Sequence, residues 1–150
     1  MTELNEHNRA VATTMPRRVP LTDCQPSQLL IDFGRLREMA GWFDPEEPNY
    51  EPVPVLRPEQ FPLSEDAVGP ETAFVLTDGH TRALLASLCG FERLDVRLDS
   101  DVGELDLETY ARCIEWTIDA GITNPSDLAG QVVSREQFLE EWVARCQSIE

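Results

Sequence analysis

Asp78, Gly79, His80, Thr81 and Arg82 follow one another between an apolar run, AFVLT (73–77), and a helix-patterned run, HTRALLASLC (80–89). A strand that turns straight into a helix leaves free amides and a partial positive charge at the helix start, which is a natural place for an anion. An arginine in that first turn is disfavoured by about 0.3–1 kcal/mol. The cost makes sense if Arg82 grips a phosphate or carboxylate with its planar fork. Thr81 adds a hydroxyl donor. His80 can donate a hydrogen bond or move a proton near neutral pH. Asp78 can cap the helix, orient His80 or approach a magnesium ion carried by a ligand. A purely structural reading is also open: Asp78 as N-cap, Gly79 as a turn residue, His80 packed on a neighbour and Arg82 paired with an acid such as Glu38.

The elements that must hold this turn can be read from the pattern. RRVPLTDCQPSQLLI (17–31) opens with a short apolar stretch and passes into polar turn residues. Asp32 is placed to cap a helix over 33–43, with Phe33, Leu36, Met39, Ala40 and Phe43 on one face. VPVLR (53–57) reads as a short strand, and its proline argues for an edge position. AFVLT is a buried strand, HTRALLASLC a helix closed by Gly90, and LDVRL (94–98) an alternating strand. After it come a helix over 107–120, a short helix opened by Asn124 and Pro125, and a third helix opened by Ser134 with Gln137 as a capping box. Phe138, Leu139, Trp142 and Cys146 form the apolar side of that last helix. The expected fold is α+β: a small mixed β-sheet with helices over residues 17–99, and a C-terminal helical extension over 100–150 packed on the same domain. Residues 1–16 read as a flexible tail.

Charge narrows the partners. The chain has 150 residues with 28 acids against 12 bases, a net −16; every base is arginine, and lysine is absent. Such a surface repels nucleic acid and anionic membranes. It matches a protein tuned to very high salt, as in a halophilic archaeon, where repulsion is screened, or an acidic partner-binding protein at ordinary salt. No apolar run is long enough to span a membrane and no secretory leader is visible, so the expectation is cytoplasmic.

Other chemistries lack their residues. The acidic stretch DSDVGELDLE (99–108) has glycine at the wrong position for a calcium loop, and Tyr110 stands where the twelfth-position glutamate is needed. The four cysteines, Cys24, Cys89, Cys113 and Cys146, form no CxxC pair; Cys89, Cys113 and Cys146, all in helical patterns, are expected as buried free thiols, whereas Cys24 lies near the motif's upstream segment. His7 and His80 have no ligand partners, so no metal site is expected. GxSxG, Walker A and GxGxxG are absent.

The order of elements and TDGHTRALLASLCG, an apolar strand, D-G-H-x-R and a helix, resemble the ParB/sulfiredoxin-like fold. That superfamily includes the nucleotide-binding domain of ParB, the sulfiredoxins and the archaeal ADP-dependent free serine kinases. QPSQLL (25–30) and EPVPVLR (51–57) fit its upstream segment, and the resemblance covers residues 17–99. It implies a phosphate- or nucleotide-binding turn at Gly79, His80, Thr81 and Arg82, with Ser27 and Gln28 on the substrate side and His80 and Asp78 as the groups nearest any chemistry. The implied ligand is ADP, ATP or CTP with magnesium, and the implied catalytic version is transfer of phosphate to a small hydroxyl substrate. The catalytic cysteine of sulfiredoxins is replaced by Gly79. The ParB arginine motif is absent. Where the serine kinases carry a glutamate base, this chain has Ser27, and serine is no base at neutral pH. The alternative is a regulatory or protein-interaction module that keeps the fold without catalysis, with the Trp116 and Trp142 helices as its surface.

Overall fold

The computed structural model describes residues 17–64 and 66–149; the tail read over 1–16 and His7 lie outside them. Among the described residues, seven short strands and four helices form a mixed α+β fold. Strands β1 (Arg17–Pro20), β2 (Cys24–Gln25), β4 (Val53–Leu56), β5 (Phe74–Leu76) and β6 (Arg93–Leu98) make a five-stranded sheet in the order β1-β6-β4-β5-β2. The pairs β1–β6 and β4–β5 are antiparallel, whereas β4–β6 and β2–β5 are parallel. A second, two-stranded sheet pairs β3 (Ile31–Asp32) in parallel with β7 (Val132–Val133).

Four helices stand beside the strands among the described residues: α1 (Phe33–Ala40), α2 (His80–Leu88), α3 (Leu107–Asp119), and α4 over 135–147. In α4 a segment with π-helical spacing, Phe138–Val143, lies between Arg135–Gln137 and Ala144–Gln147. A 3₁₀ stretch, Pro125–Gln131, leads into β7, with Asn124 capping it and Pro125 in its first turn.

Both faces of the sheet are covered, which explains the unbroken apolar runs in β4 and β5. On one face Val53, Val55, Phe74, Leu76, Leu94 and Val96 meet Met39 of α1 and Ala83 and Ala86 of α2. On the other, Leu56 and Val75 meet Ile114, with Tyr110 and Ile118 of α3 against them. A third cluster, Ile31, Leu84, Ile122 and Leu128, fastens the C-terminal segment to α2. Each fully buried Val, Leu or Ile side chain contributes about 1.5–3 kcal/mol.

Two readings need correction. Strand β4 lies at the centre of the sheet, between β6 and β5, and not at an edge. Pro54 is tolerated because its missing amide faces the end of β5, opposite Thr77, where that strand turns away. Helix α1 stops at Ala40, so the apolar face expected to run to Phe43 is shorter. Met39 and Phe43 are buried, but Phe33 is 52% exposed and Ala40 also faces outward.

Candidate functional site

Gly79 sets the turn between β5 and α2. Its φ of 74° is left-handed, a conformation that costs other residues about 1–2 kcal/mol. The space is also closed: an added Cβ would lie 2.8 Å from Arg82 Nη2 and 3.0 Å from Val53 Cγ1. This turn makes Gly79 the N-cap residue, and no side chain caps the helix. The expectation that Asp78 caps α2 is therefore corrected. Asp78 Oδ1 instead accepts the Gly79 amide at 2.8 Å, one residue too early, because the left-handed step delays the helix start. The first helical bond runs from the Ala83 amide to the Gly79 carbonyl. The amides before it face outward, as at any helix start.

That uncapped end opens into a cavity of about 210 Å³. Gln28, Asp78, Gly79, His80, Thr81 and Arg82 line it. Three helix starts meet there. Helix α1 brings Asp32 and Arg35, α2 brings the motif, and α4 brings Arg135 and Phe138. Each helix has an arginine within its first three residues: Arg35, Arg82 and Arg135. Asp32 caps α1 through the Gly34 amide at 2.9 Å and also accepts from Arg135 Nε at 2.9 Å. Ser134 caps α4 through the Gln137 amide. Arg35 forms no ion pair among the described residues. Arg82 folds back to donate to the Glu51 carbonyl at 2.9 Å, and burial lowers its pKa without discharging it. It does not meet Glu38.

His80 is 4% exposed. Its Nε2 accepts the Ser27 amide at 2.9 Å, with Ser27 Oγ 3.4 Å away. That acceptor role places the ring proton on Nδ1, which is buried with no partner. Burial lowers the His80 pKa to about 4, so the imidazole is neutral at physiological pH. Ser27 Oγ donates to the Leu76 carbonyl at 2.6 Å. Ser27 therefore lines not the arginine cavity but a second one of about 250 Å³, beside Gln28, Thr77, His80, Tyr110, Cys113, Trp142 and Cys146. His80 and Gln28 border both.

Arg35, Arg135 and Phe138 were missed by reading the motif alone. A signal for the arginines was present, since a basic residue in a helix first turn opposes the dipole, and here it does so three times. What the sequence could not show is that the three starts converge. Among acids near the motif, Asp32 reaches the cavity but is tied to Arg135 and Gly34. Glu38 lies beside Arg35, Met39 and Trp42 in a separate hollow. Among the described residues no helix is long and apolar enough to cross a membrane. Comparisons with protein-family models, with curated proteins and with solved structures find no match.

Proposed function

We propose that this protein binds a phosphate-bearing small molecule, such as a nucleotide, in the cavity where α1, α2 and α4 begin. One observation carries the proposal: in a chain of net charge −16, three first-turn arginines, Arg35, Arg82 and Arg135, face one uncapped helix start. Asp32 offsets Arg135 and the α1 start, and Ser134 caps α4, which leaves Arg35 and Arg82 against the uncapped positive end of α2. A phosphate group removes the conflict and accepts hydrogen bonds from the α2 amides and the Thr81 hydroxyl.

The residues present fit a phosphate. Gly79 lets the Arg82 guanidinium lie against the backbone of the turn, Arg35 offers a guanidinium with no ion pair among the described residues, and Arg135 offers the nitrogens that Asp32 does not take. His80 borders both cavities, with its Nδ1–H buried and without a partner. Its Nε2 is held by the Ser27 amide, so His80 is not free to act as a base. A magnesium ion would arrive on the phosphate oxygens, with Asp78 as the exposed carboxylate at the rim. Phosphoryl transfer needs mainly positioning and charge stabilisation. The second cavity, lined by Ser27 and Tyr110, is where an acceptor hydroxyl would sit. Binding is the function supported here; transfer requires a base that neither Ser27 nor the engaged Asp32 provides.

The test is thermal unfolding in molar KCl with pyrophosphate, ADP, ATP and CTP, with and without magnesium. A ligand at a hundredfold excess over its Kd stabilises the folded state by about 2.7 kcal/mol, several degrees in Tm. The expected result is a shift with at least one phosphate ligand that Arg35→Ala and Arg82→Ala each reduce. No shift with any of them sinks the proposal, and a shift indifferent to both substitutions moves the site elsewhere.

A further inference from the structure

Cys113 in α3 and Cys146 in α4 bring their sulfurs to 3.7 Å across 33 residues of sequence, and both are free thiols. The other two cysteines are placed differently. Cys24 is fully buried, its sulfur donates to the Pro20 carbonyl, and burial pushes its pKa up to about 12. Cys89 is half-buried with no sulfur beside it among the described residues. Cys113 and Cys146 both line the cavity of about 250 Å³ bordered by Ser27, Tyr110 and His80, which gives a small molecule a route to them.

The approach depends on the irregular turn of α4. The π-helical segment Phe138–Val143 inserts an extra residue into the helical count before Cys146. In regular α-helix each residue turns about 100°, so without the insertion Cys146 would point well away from Cys113. Such single-turn bulges recur at functional sites. The same helix sets Arg145 over the Trp116 ring, 3.8 Å from its centre, and packs Trp142 edge-on against Trp116 at 6.2 Å. A fixed positive charge therefore stands beside the Cys146 thiol.

We propose that Cys113 and Cys146 are a redox pair, which hydrogen peroxide or a small hydroperoxide oxidises to a reversible disulfide joining α3 to α4. The proposal stands apart from the phosphate site and does not depend on it. Cys146 is the attacking sulfur, being the less buried of the two. The hydrogen bond from Cys113 and the charge of Arg145 favour its thiolate, whereas the same hydrogen bond and burial keep the proton on Cys113. The Cys146 thiolate attacks one peroxide oxygen; the O–O bond breaks, the leaving oxygen takes a proton and departs as water or alcohol, and Cys146 becomes a sulfenic acid. Cys113 sulfur then attacks Cys146 sulfur. The S–O bond breaks, the hydroxide leaving takes the Cys113 proton, and a second water is released. Two thiols lose two electrons in total and one peroxide gains them. Closing the bond needs the sulfurs to approach to about 2 Å, a side-chain rotation. A dithiol reductant reverses it by thiol exchange.

The experiment treats the folded full chain with one equivalent of hydrogen peroxide, then alkylates it under denaturing conditions and maps the peptides by mass. Expected are loss of two of the four alkylatable thiols, a Cys113–Cys146 cross-linked peptide, and recovery of both thiols with dithiothreitol. In Cys113→Ser the reaction should stop at a sulfenic acid on Cys146, captured by dimedone. In Cys146→Ser peroxide consumption should fall at least about tenfold. Four thiols still alkylated in the wild type, or oxidation spread evenly over Cys24 and Cys89, overturns the proposal. The wild-type map decides the question even if a variant fails to fold.

Discussion

The Tyr110 hydroxyl donates to the Thr77 carbonyl at 2.8 Å, and that carbonyl faces Pro54 across the β4–β5 ladder. In an antiparallel pair the two opposed residues exchange both bonds. Thr77 gives its amide to the Pro54 carbonyl at 3.0 Å, but proline has no amide to return. Tyr110, from α3 on the far face of the sheet, supplies the missing donor just before the site turn.

Tyr110→Phe should therefore lower stability by about 1–3 kcal/mol, the cost of a buried carbonyl without a partner. In a Pro54→Ala background the restored amide can serve Thr77, and the loss should shrink by more than half. Urea unfolding of the four proteins in the cycle measures this coupling. Equal losses in both backgrounds would show that Tyr110 acts through packing alone.

Gly79→Ala should cost about 1–2 kcal/mol for the left-handed backbone, plus the displacement of Arg82 or Val53. Ser87→Ala, on the same helix, is the control and should stay within about 0.5 kcal/mol of wild type. If the phosphate site is where we place it, Gly79→Ala should also abolish the ligand-induced Tm shift. A fully folded Gly79→Ala protein with wild-type Tm would contradict the turn geometry.

Burial depresses the His80 pKa to about 4, against an ordinary 6.5. Below pH 6.5 the unfolded chain takes up a proton that the folded chain refuses, so His80 opposes folding there. Its contribution is fully present above pH 6.5 and is lost as pH falls toward 4, about 3 kcal/mol in all and about 2 kcal/mol by pH 5. Carboxylates titrate in the lower part of this window, so the comparison is with His80→Gln. Between pH 7.5 and pH 5 the wild type should lose about 2 kcal/mol more than the variant. Parallel pH profiles for the two proteins would mean that His80 titrates normally.

Asp32→Asn keeps an oxygen for the Gly34 amide but removes the charge that holds Arg135. The cap is retained, so stability should change by less than about 1 kcal/mol. Pyrophosphate affinity should rise severalfold, because a carboxylate leaves the cavity and Arg135 is released to the ligand. Isothermal titration measures it. Weaker binding in Asp32→Asn would show that the ion pair orients Arg135 productively and does not compete for it.

The sequence by itself determined the local pieces. Apolar runs and caps located β4, β5, β6 and the helices, because periodicity and capping act over a few residues. The DGHTR turn was legible for the same reason: glycine, histidine and arginine at a strand-to-helix junction carry their chemistry in their spacing. Tertiary structure decided what surrounds that turn. The parallel pairing of β3 with β7, residues 31–32 with 132–133, carries Arg135 to Asp32, and nothing local in either segment encodes it. The central place of β4 was hidden because proline is excluded from an inner strand only where its amide is needed, and Tyr110 removes that need from 33 residues beyond Thr77. The cap of α2 shifted from Asp78 to Gly79 through one backbone angle. The pairing of Cys113 with Cys146 required both the docking of α4 on α3 and a π-helical turn, a register change that residue spacing does not announce.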